Sequence, residues 1–531
     1  MDKTVCAVLL DTVSIQEYVF SSNRLKENLG ASCIVKRIFK EDLINALMKT
    51  FDNNDYIDEW EINPDRILLL DNLNIDYEIG FSGGGKALLF FKNKEAGKLF
   101  IKAWTNGLIR NAPGLQTAVS IMEKFHLENK FSEDLEALFM QLVVNKNCYF
   151  PSVSFEGQGI TKVCPLSGKT VQVYKEFLDS KPLYISIEAA ARLEAAQDEE
   201  KQMEEQYESE IYKHNMAFSS RLDELGQIKG RENHIAVVHI DGNGMGERFT
   251  RCKDLVSYRR LSLMMRKTVD EAFRSLLEYV RHDLMPELGR EQNDFKIYKD
   301  KKERELLPLR PIIIAGDDVT FVTEGRLGIH LAEKMIEFWT QHRDFADIDF
   351  DFSACAGVAI IKTKYPFYRG YKMAEELCGI AKKQAREKQG TSWLDYHVAN
   401  DSPLTSIESL KKQDEGKDLQ LHFSPYLLTD DEGEKSFSAF KKGMQEMCDE
   451  KKWPQSKIKQ FRTALSHGET ETKRFVQQLQ ARKRYLPFYD GNYGREGHCN
   501  GKTPYADMIN ILEYYPQFLL KGGIQLVKNG H

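Results

Sequence analysis

The sequence has few cysteines, and their spacing argues against two kinds of cysteine-dependent domain. Its 531 residues include nine cysteines, an odd number, and no two of them form a CxxC pair. An odd, scattered set disfavours a disulfide framework and favours reduced thiols, so we expect a cytoplasmic protein. The missing CxxC pairs also argue against a cysteine-based zinc site.

Long apolar runs and a surplus of positive charge are missing as well. No stretch approaches the roughly 20 apolar residues that a membrane span needs, so no membrane contact is expected. The N-terminal run VCAVLL is too short for a signal peptide. The formal net charge is −6, which predicts no general attraction to nucleic acid. A content of 42% hydrophobic and 29% charged residues is typical of a globular protein, and the length suits about three or four domains.

An apolar strand that ends in aspartate occurs twice. The segments VCAVLLD and IAVVHID each predict a buried strand, ending at Asp11 and at Asp241. A carboxylate at the end of a buried strand costs desolvation free energy unless it meets a cation or hydrogen-bond donors. An aspartate that caps the following helix is the simpler interpretation, and residue 241 alone does not decide between them.

Three glycines follow the second of these aspartates, at positions 242, 244 and 246. A turn needs one glycine, so this number indicates backbone that approaches a ligand closely. Backbone N–H groups of residues 244–246, near a helix N-terminus, are suited to bind phosphate.

The elements downstream of the two aspartates follow the same order. The first is followed by the hairpin YEIGFSGGGKALLFF (77–91) and the second by RPIIIAGDDVTFV (310–322), and each hairpin leads to a helix and a further strand. The spacing from Asp11 to Gly85 is 74 residues and that from Asp241 to Asp317 is 76. An order of β-α-β-β-α-β that appears twice predicts an α+β protein with two ferredoxin-like domains.

The two hairpin turns differ in charge. The second carries Asp317 and Asp318, where the first carries glycines and Lys86. In this topology the first strand lies beside the hairpin, so Asp241, Asp317 and Asp318 are expected to lie together. Carboxylates at such a distance repel one another unless divalent cations lie between them. We therefore predict that these three residues are catalytic and hold two Mg²⁺ or Mn²⁺ ions, the usual arrangement for displacement at phosphorus.

A basic helix face follows the second domain's last predicted strand. In AEELCGIAKKQAREKQG (374–390), Lys382 and Arg386 are four residues apart and share a helix face. They are candidates for binding a triphosphate. A solvated basic face near a helix C-terminus is the alternative.

The ordered set of these motifs resembles two related families. The strand-end aspartate, the acidic turn and the helix with Ala381-Lys382 and Arg386 resemble GGDEF-type nucleotidyl cyclases. The two-domain arrangement is more similar to the large polymerase-cyclase subunit of type III CRISPR effector complexes, in which one palm domain has a GGGK turn and the other GGDD. The segment SIQEYVFSSNRLKENLGAS (14–32) resembles the stretch after that family's first strand, where a helix leads to a Gly-Ala-Ser turn.

The resemblance implies a set of nucleotide-binding residues in both predicted palm domains. The candidates are Gly242, Asn243, Gly244, Met245, Gly246, Gly316, Lys382 and Arg386 in the second, and Ser82, Gly83, Gly84, Gly85 and Lys86 in the first.

Three departures from the family pattern are visible. The family often begins with an HD nuclease domain, whereas this sequence begins on a predicted strand, and its single His-Asp doublet, at 282–283, is expected to be structural. The family's zinc module uses CxxC pairs, whereas Cys148 and Cys164 stand alone here. The GGDD motif reads AGDD, and alanine is small enough to keep the turn.

The motifs divide the chain into four predicted parts. We assign 1–130 to a first, degenerate palm domain, 131–229 to a linker with a solvated helical arm, 230–400 to a second, catalytic palm domain, and 401–531 to a helical C-terminal domain. Basic residues concentrate between 451 and 484, but interspersed acids favour a solvated face over a nucleic-acid patch.

These features predict a nucleotidyltransferase that joins NTPs, with ATP as the expected substrate, into cyclic or short linear oligonucleotide signals. The resemblance implies a role in antiviral defence, with RNA and other effector subunits as partners. The predicted donor triphosphate lies at Asp241, Asp317 and Asp318, and the acceptor lies toward the Gly83–Lys86 turn. A scaffold subunit that binds RNA without catalysis is the alternative, and the three acidic residues count against it because a scaffold has no need of them. A template-directed polymerase is disfavoured because no thumb or fingers domain is recognisable.

Overall fold

A computed structural model gives the structure of most of the chain. It describes residues 4–71, 74–148, 159–177, 180–228, 230, 233–341, 352–399, 406–407, 409, 411, 418–429, 433–489 and 492–520. The chain forms two compact units, each assembled from separate segments. The first comprises Met1–Glu208, Gly244–Asp270 and Ile312–Asp318, and the second comprises Ser209–Asn243, Glu271–Pro311 and Val319–His531.

Both helices and strands occur along most of the described chain. The strands are β1 Thr4–Thr12, β2 Tyr77–Gly83, β3 Lys86–Phe91, β4 Thr117–His126, β5 Val173–Phe177, β6 Ser180–Ile185, β7 Met216–Phe218, β8 His234–Gly242, β9 Glu305–Leu307, β10 Leu309–Ala315, β11 Asp318–Glu324, β12 Ala354–Lys362, β13 Trp393–Val398 and β14 Tyr426–Leu427. The helices before β9 are α1 Ile15–Phe20, α2 Leu25–Phe39, α3 Glu41–Thr50, α4 Glu59–Ile62, α5 Leu68–Asp71, α6 Lys94–Asn111, α7 Phe131–Lys146, α8 Ile187–Gln206, α9 Met245–Thr250, α10 Leu255–Tyr279 and α11 Met285–Leu288. The later helices are α12 Gly328–Gln341, α13 Phe367–Glu387, α14 Phe437–Met447, α15 Gln455–Ser466, α16 Glu469–Ala481, α17 Tyr493–Glu496, α18 Tyr505–Ile511 and α19 Gln517–Leu520.

The two main sheets share one strand order over four strands. The first sheet has the order β2-β3-β1-β4, and the second has β10-β11-β8-β12, extended by β13 and β14. This is the order that a β-α-β-β-α-β chain produces, with the first strand in the centre. Strand β1 is antiparallel to both of its neighbours, as β8 is to β12. The predicted α+β class and the helical character of the C-terminal region are therefore confirmed.

Apolar strands and helix faces form the core of each unit. In β1 every residue from Val5 to Leu10 is buried, and in β8 the same holds from Ile235 to Ile240. Helices α12 and α13 pack against β8 and β12 in the second unit. None of the helices within the described residues is both long and apolar enough to cross a membrane.

The structure corrects two expectations about the first unit. Helix α8 was expected to be a solvated arm, but it packs along α2. Ala195 and Ala196 of α8 are buried, and Ala189 and Ala190 are buried in a cluster with Cys164 and Ile185. The Gly-Ala-Ser segment is not a turn but lies within α2. A Cβ atom built on Gly30 would lie 1.7 Å from the backbone oxygen of Arg192, so this glycine permits the helix contact.

A fully buried ion pair joins α10 to β2 within the first unit. The guanidinium group of Arg259 is 0% exposed, and its Nη2 lies 2.8 Å from Oε1 of Glu78. Arg259 also donates to the backbone oxygens of Gly80 (3.2 Å) and Arg66 (2.9 Å), and Glu78 Oε2 accepts from the N–H of Leu69. Burial lowers the pKa of Arg259, and the charge of Glu78 opposes this shift.

We predict that Arg259→Met destabilises the protein because it leaves the Glu78 carboxylate buried without its cation. The expected loss in free energy of unfolding is about 3–5 kcal/mol, measured by urea denaturation. The neighbouring Arg260 pairs with Asp65 at 2.7 Å with both side chains about half exposed, so Arg260→Met is a matched control. The control is expected to cost no more than about 1 kcal/mol. Equal losses in the two variants would contradict this account of the buried pair.

Candidate functional site

The second hairpin turn has the geometry that its sequence predicts. Gly316 has φ of 62°, and strand β11 begins at Asp318. A positive φ at the first of two turn residues is what a type II′ hairpin turn needs, and a Cβ atom at residue 316 would have open space around it. The backbone conformation rather than crowding therefore requires glycine here. Asp317 and Asp318 are both partly exposed.

Asp241 lies at the end of the central strand of the second sheet. Its carboxylate Oδ2 is 2.5 Å from Nζ of Lys382, and the same Nζ donates to the backbone oxygen of Gly242 at 3.1 Å. The two side chains are 30% and 24% exposed, so solvent reaches the pair. The structure thus brings Asp241, Gly242 and Lys382 together. Arg386 is exposed on the last turn of α13.

The close packing of α13 on β12 carries Lys382 to Asp241. A Cβ atom built on Gly357 of β12 would lie 1.9 Å from the backbone oxygen of Ala374, so only glycine permits this approach. Nearer the site, small residues continue the contact, and Cys378, Ala381 and Ala385 of α13 pack with Cys355 and Trp393. Cys355 lies opposite Asp241 on the adjacent strand.

Asn243 holds the chain as it leaves β8. Its backbone N–H donates to the oxygen of Ser353 (2.9 Å), and its side-chain amide donates to Ser353 Oγ (3.0 Å) and to the backbone oxygen of Thr391 (3.2 Å). The side chain of Asn243 therefore has a structural role. Gly244 follows with φ of 68° and caps α9, which explains one glycine of the motif, and Met245 is buried. Gly246 has open space around it.

The first sheet has an aspartate in the equivalent place, with two lysines around it. Asp11 Oδ2 lies 2.6 Å from Nζ of Lys146 and 3.9 Å from Nζ of Lys86, and the Asp11 side chain is only 6% exposed. Burial raises the pKa of Asp11, while both lysines oppose this shift. This carboxylate is already compensated by cations of the protein itself.

Lys146 is a site residue that the sequence analysis missed. It is the sixteenth and last residue of α7, and Lys382 is the sixteenth residue of α13. Each helix therefore has its lysine at the same distance from its N-terminus. The backbone bond from Val13 N to Gln116 O (2.8 Å) likewise matches that from Asn243 to Ser353. The correspondence between the two sheets therefore extends to the helix after the fourth strand. The signal was present as a lysine at the same distance from each of two helix starts.

The first hairpin turn packs against the strand that carries Asp11. Gly84 and Gly85 have φ of 60° and 80°, the two positive values of a type I′ turn. Thr12 donates from both its N–H (3.1 Å) and its hydroxyl (3.2 Å) to the oxygen of Gly85. Gly83 and Lys86 pair across the turn, and the Ser82 hydroxyl donates to the oxygen of Phe39.

The three predicted metal ligands do not form a metal-binding group in this structure. Across the described residues, no three or more His, Cys, Asp or Glu side chains are grouped so that they could hold a metal ion. Asp241 is instead paired with Lys382. Strands β8 and β11 are neighbours in the sheet, which places the strands of Asp241 and Asp318 side by side.

Comparison with known proteins shows the fold. No protein-family model matches the chain, and no curated protein sequence does. The structure is similar to a chain of a Csm1–Csm4 cassette in complex with cA3, with a TM-score of 0.51 and 11% identity over 97% of this chain and 69% of the other. A chain of a Csm1–Csm4 cassette in complex with AMPPNP has a TM-score of 0.51 and 11% identity, over 96% of this chain and 70% of the other. A chain of a Csm1–Csm4 subcomplex in the type III-A CRISPR-Csm interference complex has a TM-score of 0.47 and 11% identity, over 96% of this chain and 70% of the other. The first two matches confirm the predicted resemblance for the fold.

We predict that Gly357→Ala displaces α13 and weakens the contact between Lys382 and Asp241. Overpacking of this kind costs about 1–3 kcal/mol, measured as a loss in free energy of unfolding by urea denaturation. Gly379→Ala on the same helix is the control, because a Cβ atom there meets no neighbour. The control is expected to be neutral or to stabilise by up to about 1 kcal/mol. If Gly357→Ala leaves the free energy of unfolding unchanged, the close approach of α13 to β12 does not position this helix.

Proposed function

We propose that this chain is a metal-dependent nucleotidyltransferase that joins NTPs, with ATP as the expected substrate, into cyclic or short linear oligonucleotides. Its two sheets would be two palm domains, of which the second is catalytic. The proposal includes a role in antiviral defence and partners among RNA and other effector subunits, as in type III CRISPR complexes. The fold shared with Csm1–Csm4 structures that contain cA3 and AMPPNP supports it.

The observation that carries the proposal is the exchange of charge between two equivalent hairpins. Lys86 is the first residue of β3 and lies opposite Asp11, while Asp318 is the first residue of β11, next to the strand of Asp241. His239 of β8 and Thr320 of β11 are in side-chain contact at 3.1 Å, which supports the same pairing in the second sheet. Asp318 would then lie opposite Asp241, so that two acids replace an acid and a lysine.

The donor atoms of the second hairpin suit Mg²⁺ or Mn²⁺. Carboxylate oxygens are the ligands that these hard cations prefer, and Asp241, Asp317 and Asp318 all keep some solvent exposure. When bound, two such ions would lower the pKa of the attacking hydroxyl and neutralise charge on the leaving pyrophosphate. Metal binding at Asp241 would compete with Lys382 for the same carboxylate.

The residues around the aspartates would bind and orient the nucleotide. Lys382 and Arg386 would contact the β- and γ-phosphates, with Lys382 moving from Asp241 to the phosphate. Backbone N–H groups of residues 244–246 would contact phosphate oxygens. In the reaction, a 3′-oxygen forms a bond to the α-phosphorus, the bond to pyrophosphate breaks, and the hydroxyl proton passes to solvent. An acceptor nucleotide at the Gly83–Lys86 turn stays a prediction.

We predict that the purified protein with ATP and Mg²⁺ or Mn²⁺ releases pyrophosphate and forms oligonucleotides detectable by mass spectrometry. The variant Asp317→Ala with Asp318→Ala should fold normally, because both residues lie at a partly exposed turn, and should lose turnover. The variant Asp52→Ala with Asp55→Ala removes the same charge from an exposed segment and is the matched control. Full activity in the Asp317/Asp318 variant would refute the site. If no product forms with any of the NTPs, with either metal and with added RNA, the result would favour the scaffold alternative.

We further predict opposite effects of Lys382→Ala on the two ligands. Loss of a charge-assisted hydrogen bond worth about 1.5–3 kcal/mol should weaken binding of a non-hydrolysable NTP roughly tenfold to a hundredfold. Binding of Mn²⁺ alone should become tighter, because Asp241 loses its competitor. Arg386→Lys should weaken NTP binding partly, since lysine lacks the bidentate fork. Calorimetric titration measures the affinity for each ligand. Unchanged NTP affinity in Lys382→Ala would mean that α13 has only a structural role.

A further inference from the structure

Exposed cations and exposed aromatic rings lie next to one another just after the end of α16. Arg482, Lys483 and Arg484 are all exposed, and the side chains of Tyr485 and Phe488 are 69% and 72% exposed. All five residues belong to the second unit. Burial of aromatic side chains is a large source of stability, so two exposed rings beside three cations need an explanation. We call these five residues the basic-aromatic segment.

Ion pairs divide the basic residues of this region into two groups. Lys473 and Arg474 of α16 pair with glutamates at 3.3 and 2.5 Å, as expected for a solvated helix face of mixed charge. The three cations of the segment form no ion pair or side-chain hydrogen bond with any other described residue. Glu446, the acid in contact with the segment, accepts a hydrogen bond from the backbone N–H of Phe488 at 3.4 Å. The interspersed acids thus compensate the helix face but not the segment.

Lys483 has a backbone conformation that lysine rarely adopts. Its φ is 55°, directly after the residue that caps the C-terminus of α16. Its N–H donates to the oxygen of Gln480 and that of Arg484 to the oxygen of Leu479, both at 2.9 Å, which are the two bonds of a Schellman motif. Glycine ordinarily occupies this position because it has no Cβ atom. The helix dipole favours cations here, but Arg482 and Arg484 already supply them. A lysine in a strained position therefore indicates a use for its own charge.

Buried residues between the two rings hold the backbone of the segment in place. Leu486 is 6% exposed, and Pro487 is buried as well. The hydroxyl group of Tyr505, which is fully buried, donates to the backbone oxygen of Pro487 at 2.7 Å. The two exposed rings are therefore attached to an anchored backbone, which reduces the conformational entropy that a bound ligand has to offset.

We propose that the basic-aromatic segment binds single-stranded nucleic acid, with its cations on phosphates and its two rings stacked on bases. Proteins that bind single strands without sequence preference combine these two features. An acidic peptide would pair with the cations but has no need of the exposed rings. A lipid surface is disfavoured because the aliphatic residues between the rings, Leu486 and Pro487, are buried and do not reach a membrane. The segment lies outside the acidic hairpin, so the inference goes beyond the proposed nucleotidyl transfer and does not rest on it.

The test is fluorescence anisotropy of a labelled single strand of about 12 nucleotides, titrated with the full-length protein in EDTA and without NTP. We expect saturable binding, with the duplex of the same sequence at least tenfold weaker, because paired bases cannot stack on the rings. The logarithm of the binding constant should fall with the logarithm of salt concentration with a slope of about −2, as expected for three phosphate contacts. RNA and DNA strands of the same sequence are compared, and the tighter one identifies the class of ligand. Because NTP and metal are absent, the result is independent of nucleotidyl transfer.

Three variants separate stacking from charge. Tyr485→Ala with Phe488→Ala should weaken binding at least about fivefold and leave the salt slope unchanged, whereas Tyr485→Phe keeps the ring and should bind like the wild type. Lys483→Gly should reduce the slope by about 0.7. The same variant should raise the midpoint of urea denaturation, because glycine relieves the positive φ. A gain in stability without a loss in binding would contradict the role of Lys483.

Two control variants on the exposed face of α6 have matched changes in the first unit. Leu99→Ala removes a side chain that is 58% exposed, and Lys102→Ala removes an exposed cation, so both should leave binding unchanged. Binding of the duplex as tightly as the single strand, or unchanged affinity in the Tyr485/Phe488 variant, would overturn the proposal. Binding to phosphatidylserine vesicles or to polyglutamate, but to neither single strand, would also overturn it.

Discussion

A carboxylate at the end of a buried central strand needs a positive charge, and this requirement shapes the same end of both sheets. Asp11 meets Lys146 at 2.6 Å, and Asp241 meets Lys382 at 2.5 Å. Each lysine reaches its carboxylate because the helix after the fourth strand packs closely on the sheet and has its lysine at the sixteenth residue. The packing of α7 and α13 thus serves the electrostatics of the strand end as well as the burial of apolar surface.

The two sheets share their topology but differ in the balance of charge at this end. Around Asp11 there are two lysines and the side chain is almost fully buried, which leaves no demand for a further cation. Asp241 is paired with Lys382, and its side chain is 30% exposed. The two sheets therefore share their strand order, while the hairpin that carries Lys86 in the first carries Asp317 and Asp318 in the second.

Much of the fold could be predicted from local patterns. Apolar strand segments, glycine turns and their spacing depend on residues that are close together in the sequence. The helix at Ile15–Phe20 and both hairpins lie where the patterns predicted them. Contacts between distant segments were not predictable in this way. Gly30 looks like a turn residue until α8 is known to cross it, and the acidic sequence of α8 predicts a solvated helix until its packing along α2 is known. Lys146 was missed because a lysine in a last helical turn is ordinarily solvated.

Each unit is assembled from three separate segments of the chain, and this has a consequence for dividing the protein. A fragment that stops at Asn243 would hold all of the first four-stranded sheet but would lack residues 244–270, and with them Arg259. Glu78 would then remain buried without its cation, beside a first sheet whose four strands are all present. The first unit is thus encoded discontinuously, and no single cut along the chain can release it intact.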